Sequence, residues 1–331
     1  MKERNLSIDL LRGFSIFAMI LIHTNAYFLH KKTAYLLWDL SQFAVPAFIF
    51  CSSYLFFQRE FVFTTASLLT YAKKRVLRLI IPYYLFLIPL LLLTYFAEPG
   101  KITARSILEH ITLTGGVDIN WLILLFLTFT LIMPWLHHSW KKRSTLLPLF
   151  AVLSTSTTVL LLFVSFPFSY KWIMWFPWSL IILFTIYVVS YEKKSWFYPV
   201  TLGGTLLVFL ATRFLQLQLG HSVIQYYNKY PPNLLHLSYG MFTTTLLYFL
   251  FQKQIFHITP FKQLLVFLST YSYSIYFVHF LLIFYVTVSW KQIEFTWQKL
   301  FIVILALTIL TQCTINGVRY LFSALKRGPT I

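Results

Sequence analysis

Apolar runs of about 20 residues recur along this chain from residue 8 to residue 323. A helix rising about 1.5 Å per residue needs about 20 such residues to cross the hydrocarbon core of a bilayer. A soluble domain has no interior large enough for so many of them. The runs fall near 8–29, 36–57, 76–96, 120–138, 145–165, 172–190, 197–217, 234–251, 264–288 and 300–323. They predict an all-α, polytopic membrane bundle of about ten transmembrane helices, read as a single domain over residues 1–331 with no fused soluble domain. Only 11% of the residues are charged, less than half the share of a typical soluble domain. The first run is too long for a signal-peptide core and no small-residue cleavage site follows it, so it is expected to be retained.

The net charge is +18. In a soluble protein that would point to nucleic acid, but here the basic residues sit in short segments between apolar runs, where they set orientation. Sixteen Lys and Arg fall on one side of the predicted membrane and eight on the other, with Arg12, Arg213 and Arg319 inside spans. That bias predicts cytoplasmic termini in a multi-pass protein of the cell membrane. Cys51 and Cys313 both lie in apolar runs. They offer neither a disulfide framework nor metal-ligand spacing and read as small core residues. The longest outer loops are expected at 97–119 and 218–233. The second carries Tyr226, Tyr227, Tyr230 and the tandem Pro231-Pro232. Its tyrosines suit a membrane-interface belt or the face of a sugar.

Polar residues inside spans face a cavity or a partner. Arg12 and His23 are eleven residues apart. Eleven steps of about 100° return a helix to within roughly 20° of its starting direction, so the two share a face, with His23 about 16 Å further along. On the predicted orientation the cytoplasmic half holds Asp9, Arg12, Arg75, Arg78, Asn316 and Arg319. The outer half holds His23, Asp39, Asp118, Asn120, Arg213, His236 and His279. Arg75 and Arg78 project from one helix face. Arginine forms forked bonds to phosphate oxygens, although a purely topogenic role accounts for the same pair.

Imidazole is the side chain best suited to take a proton near neutral pH. His23 is therefore the first candidate for a general base and His279 the second, with Tyr276 one turn before it and within bonding reach. His30, His110, His137, His138, His221 and His257 fall in or near expected loops and read as surface residues. The histidines lack metal-ligand spacing, so no metal is expected. A serine-hydrolase elbow, a phosphate-binding Walker loop and a dinucleotide fingerprint are all absent from the sequence.

Four stretches resemble acyltransferase family 3, the integral-membrane acyltransferases of cell-surface glycans. Ile8-Asp9-Leu10-Leu11-Arg12-Gly13 with His23 resembles the family's opening motif and its histidine. Arg75-Val76-Leu77-Arg78 with Pro82-Tyr83 resembles its paired-arginine motif. Phe43 to Tyr54 resembles its second-helix pattern, and Ser272-Tyr273-Ser274-Ile275-Tyr276-Phe277-Val278-His279 its late Ser-Tyr-Ser-Ile-Tyr motif. The likeness runs from about residue 4 to 323. Ser15 and Ser53 depart from it, and Asn120-Trp121-Leu122-Ile123 follows the fourth-helix pattern loosely.

The resemblance implies an O-acyltransferase that takes its acyl group from cytosolic acetyl-CoA or another short acyl-CoA. No permanently bound cofactor is implied. The phosphates would meet Arg75 and Arg78, with Arg12 beside them. The catalytic set would be His23, Asp9 and Arg12, with Asp9 pairing to Arg12 or capping the helix start. His279, Tyr276, Arg213, His236 and Trp121 are candidates for binding the acceptor, an envelope glycan or lipid-linked sugar. A polysaccharide or lipid-linked sugar exporter is the competing class, and dependence on acyl-CoA separates the two.

Overall fold

The computed structural model describes residues 5–115, 119–164, 166, 169–255, 259–290 and 292–327. Asp118 and His257 lie outside them. Among the described residues thirteen α-helices follow in order: α1 (Leu6–Asn25), α2 (Lys32–Leu40), α3 (Ala44–Phe57), α4 (Thr65–Ala97), α5 (Ala104–Ile111), α6 (Asn120–Lys141) and α7 (Leu146–Leu160), then α8 (Trp175–Tyr191), α9 (Phe197–Gln218), α10 (Leu234–Gln252), α11 (Thr259–Thr270), α12 (Ser272–Ser289) and α13 (Trp297–Arg327). The described residues form an all-α polytopic bundle with one isolated bridge, between Lys229 and Pro232.

Helix α1 is the axis of the bundle, packed against α2, α3, α10, α11, α12 and α13. Its sequence explains why. Asn5 caps it, the side-chain oxygen accepting from the Ile8 amide at 3.2 Å. Small residues at Gly13, Ser15 and Ala18 are buried and let neighbours approach closely. By contrast α9 and α13 bury only 17% of their apolar windows, against 61% for α1. Their outward apolar faces are what a helix bathed in lipid presents.

Among the described residues, eight segments are long and apolar enough to cross a membrane. The fifth and sixth predicted spans carry the shorter helices α7 and α8, of 15 and 17 residues. The second span is interrupted by a 3₁₀ turn at Ser41–Phe43. The ninth is split at Tyr271, whose backbone leaves the helical region at φ −107°, ψ 18°. There the Thr270 hydroxyl donates back to the Val266 carbonyl at 2.8 Å, a local side-chain bond of the kind that competes with helix continuation. An apolar run cannot reveal such a break. Helix α4 starts at Thr65, eleven residues before its predicted span, capped by Thr64. The predicted outer loop 97–119 is not all loop, because α5 lies within it. Tyr83 and Tyr84 hold α5 through its carbonyls at His110 and Ile111, at 2.6 and 2.9 Å.

Two further readings are corrected. Cys313 is exposed on α13 rather than part of the core. His137 is 3% exposed. It sits inside α6, one turn from buried Met133, with its ring stacked 6.0 Å from Phe57.

A polar knot ties α3, α8 and α10. The Tyr54 hydroxyl donates to Glu192 at 2.7 Å, and Tyr248 lies 2.9 Å from Tyr54 and 3.0 Å from the other Glu192 oxygen. Burial raises the Glu192 carboxyl above the ordinary carboxylate range, while its bonds to Tyr54 and Tyr248 pull it part of the way back. An acid with a raised folded pKa contributes stability that is full below its unfolded value, about 4.3, and lost as pH rises through the folded value. The melting temperature in detergent should therefore fall across that rise. Glu192→Gln should flatten the dependence, and an unchanged slope would show that the charge of Glu192 does not matter.

Candidate active site

Four helices, α1, α3, α6 and α12, line two cavities that lie one beyond the other. On α1, Arg12 and Ile16 face the first cavity, and Met19 and His23 face the second. Their spacings of four, three and four residues keep one helix face turned to both. On α12, Tyr273 faces the first cavity and Phe280 the second, and Tyr276 borders both. On α6, Leu122 also borders both. Leu122 and Tyr276 are thus the shared wall. The Tyr276 hydroxyl donates to the Ile119 carbonyl at 3.0 Å, which fixes that wall across the gap between α12 and the start of α6.

The first cavity, of about 220 Å³, is lined by Arg12, Arg59, Arg75 and Arg78 and, among the described residues, by no carboxylate. Asp9 stands behind it. Its Oδ1 accepts from Arg12 at 2.7 Å and from the Ser269 hydroxyl at 3.2 Å, and Arg12 Nε donates to Ser269 at 2.9 Å. The pair is 25% and 7% exposed at Arg12 and Asp9, so the guanidinium is held by a largely buried carboxylate. Helix capping falls to Asn5 instead. Arg75 Nη2 donates to Ser52 at 2.6 Å. The Arg75 Nε–H is buried with no acceptor among the described residues. A buried N–H without an acceptor is costly, so this arginine is set to receive one more oxygen.

The second cavity, of about 450 Å³, contains His23. The His23 Nδ1 lies 2.8 Å from His279 Nε2, and the His279 Nδ1 lies 2.8 Å from the Ile275 carbonyl. A carbonyl can only accept, so His279 carries its proton on Nδ1. In the neutral pair its Nε2 must then accept from His23 Nδ1–H. The lone pair of His23 is left on Nε2. The rings are nearly parallel, 4° apart at 5.1 Å. His279 is fully buried, whereas His23 is half-buried at the cavity.

Trp121 and Tyr276, expected in the acceptor site, line the histidine cavity. Arg213 and His236 line neither cavity. His236 is fully buried against Trp178, edge to face at 5.4 Å, and neither ring nitrogen has a partner among the described residues. Asp39 accepts from the Gln225 amide at 2.7 Å and ties down the segment 221–233. Asn120 donates to the Gly115 carbonyl at 2.8 Å. Asn316 pairs with Gln312 and Arg319 is exposed, both away from the arginine cavity.

Sequence reading missed Arg59, Gln42 and Lys229, all lining residues. Arg59 stands two residues past the end of α3 and is indistinguishable in sequence from a topogenic charge. Lys229 lay in what read as an outer loop, and only the tyrosines around it hinted at a site.

A family model described as an acyltransferase domain matches residues 5–315. No curated protein and no solved structure gives a significant match.

Proposed function

The chain belongs to that acyltransferase-domain family and is a multi-pass membrane acyltransferase, and from this premise we propose that it moves an acyl group, most simply acetyl, from acyl-CoA to a hydroxyl of a cell-envelope glycan. The observation that supports this reading is the pair of cavities back to back: four arginines on one side of Leu122 and Tyr276, and on the other His23, backed by His279, which itself lines neither cavity. A polyanionic donor and a hydroxylic acceptor are the two substrates such a pair would serve.

The arginine end faces the cytoplasm in this reading, as the Lys and Arg bias suggests. Arg75 and Arg78 take the phosphates of acyl-CoA, with Arg12, held by Asp9, beside them. The thioester passes the wall at Leu122 and Tyr276. The acceptor hydroxyl lies on His23 Nε2, which takes its proton as the oxygen attacks the thioester carbonyl. The tetrahedral intermediate collapses by breaking the carbon–sulfur bond. The proton on His23 passes to the departing thiolate, which leaves as free CoA. While His23 is an imidazolium, its Nδ1–H still points at His279, which keeps the ring oriented as a buried partner does in a hydrolase triad.

Purified full-length protein in lipid nanodiscs, given radiolabelled acetyl-CoA and an envelope glycan fraction, tests the reading. Arg75→Ala and Arg78→Ala are each expected to weaken acetyl-CoA binding about 10- to 100-fold, the worth of a charge-assisted phosphate bond. If the wild type bound no acyl-CoA, the donor assignment would fall and the sugar-exporter reading would replace it.

A further inference from the structure

Arg59 lies at the end of the arginine cavity farthest from the histidines. It stands two residues past the end of α3 and lines the cavity with Arg12, Arg75 and Arg78. Its place follows from the helices. On α3, Phe48, Ser52 and Phe56 line the cavity at intervals of four residues, so one face looks inward along the helix. On α4, Tyr71, Arg75 and Leu79 do the same. Ser52 accepts from Arg75 at 2.6 Å, and the Phe56 ring lies 5.2 Å from that of Tyr71. The two helices therefore pass each other antiparallel, and Arg59 sits where the first hands over to the second.

The opposite end is the wall at Leu122 and Tyr276. Helix α6 measures the separation. Leu122 is in its first turn, and fifteen residues later His137 packs its ring against Phe56, Phe57 and Phe61 at 5.8, 6.0 and 6.2 Å. Fifteen residues at about 1.5 Å each span about 22 Å. Arg59 lies in the chain between Phe57 and Phe61, so it shares that distance from the wall. The turn that carries it is fixed. The rings of Phe56, Phe61 and Tyr71 pack within 5.7 Å of one another, and the Arg59 amide donates to the Phe56 carbonyl at 3.1 Å.

The chemistry of an acyl-CoA runs in the same order. The thioester ends the pantetheine arm, the diphosphate follows, and the ribose 3′-phosphate lies beyond it. With the thioester at the wall and the diphosphate at Arg75 and Arg78, the adenosine and its 3′-phosphate fall at the mouth. A phosphate monoester carries about −1.5 to −2 charges at pH 7, and a guanidinium meets it with a fork of N–H donors. Among the described residues no carboxylate lines the cavity to compete for that fork.

We propose that Arg59 binds the ribose 3′-phosphate of the acyl donor, and so makes the protein select CoA over donors that lack this phosphate. This rests on the acyl-CoA reading of the arginine cavity. Arg59 is exposed, so water and salt screen its bond. Its worth is about 10-fold in affinity, the low end for a charge-assisted hydrogen bond.

Full-length protein in nanodiscs is titrated with CoA and with dephospho-CoA, which keeps the adenine, diphosphate and pantetheine and lacks only the 3′-phosphate. The wild type should bind CoA about 10-fold more tightly, and the margin should narrow as salt rises. Arg59→Gln should bring CoA down to the affinity of dephospho-CoA and leave dephospho-CoA where it was. Arg75→Ala should weaken both ligands alike. Equal binding of the two ligands by the wild type, a margin that survives in Arg59→Gln, or a margin lost in Arg75→Ala instead would overturn the proposal and leave the acyl-CoA reading in place. Binding of neither ligand would take down the reading and the proposal together. The wild-type comparison stands even if Arg59→Gln does not fold.

Discussion

His23→Ala is expected to lower acyl transfer by about 10²- to 10⁴-fold, the usual worth of a positioned general base, while acetyl-CoA binding stays at the wild-type level. The separation follows from the geometry. His23 lines the cavity beyond Leu122 and Tyr276, and none of the four arginines does. A loss of turnover without a loss of donor affinity is therefore the signature of a group acting on the acceptor. His279 supplies the control. It accepts from His23 Nδ1 and is itself fixed by the Ile275 carbonyl. His279→Phe removes the acceptor that keeps the His23 lone pair on Nε2, so it should also slow transfer, by less than His23→Ala. The double variant should be no slower than His23→Ala alone, because residues acting as one unit are not additive. Labelled acetyl transfer measured for the three variants decides the matter. Full activity in His23→Ala together with loss in His279→Phe would make His279 the base and reverse the assignment.

How far the site could be read from sequence depended on whether its parts share a helix. Arg12 and His23 are joined by helical periodicity, so their common face was legible, and Arg75 with Arg78 likewise. The partner of His23 was legible only as a candidate. His279 is 256 residues away, and no spacing rule connects two helices so far apart. Tyr276 stood within bonding reach of His279 from one turn away; its hydroxyl donates to the Ile119 carbonyl, and its ring lies 6.1 Å from that of His279. The wall of the histidine cavity was least legible. Its bonds from Gln225 to Asp39 and from Lys229 to Gln42 span 186 and 187 residues. They turn a polar, proline-bearing segment, which reads as an outer loop, into packed structure. For the fold, apolar length located the helices but not the breaks at Ser41–Phe43 and Tyr271. A one-turn break leaves the apolar run uninterrupted, so hydrophobicity alone does not report it.

Gly13 is where the fold and the site depend on the same atom. A Cβ built on Gly13 would lie 2.0 Å from the Leu265 carbonyl oxygen and 2.7 Å from its carbon. No side-chain rotation relieves a clash with backbone, so α1 and α11 would have to separate. Four residues after Leu265, Ser269 holds both Asp9 and Arg12, and Arg12 is the residue before Gly13. Moving α11 away would therefore loosen that triad along with the packing. Gly13→Ala is expected to destabilise by at least the 1–3 kcal/mol typical of overpacking, and Gly13→Val to leave little folded protein. In the fraction of Gly13→Ala that folds, acetyl-CoA affinity should drop as well, because Arg12 loses its fixed position at the arginine cavity. Gly203→Ala and Gly204→Ala on α9 provide the comparison. A Cβ at either meets nothing within 4 Å, and alanine is the better helix former by about 1 kcal/mol, so both should melt at or above the wild-type temperature. Thermal melts in detergent, read with acetyl-CoA titrations on the same samples, compare the four variants. If Gly13→Ala melted with the α9 pair, α1 and α11 would not be in backbone contact, and the seating of Arg12 by Ser269 would need another explanation.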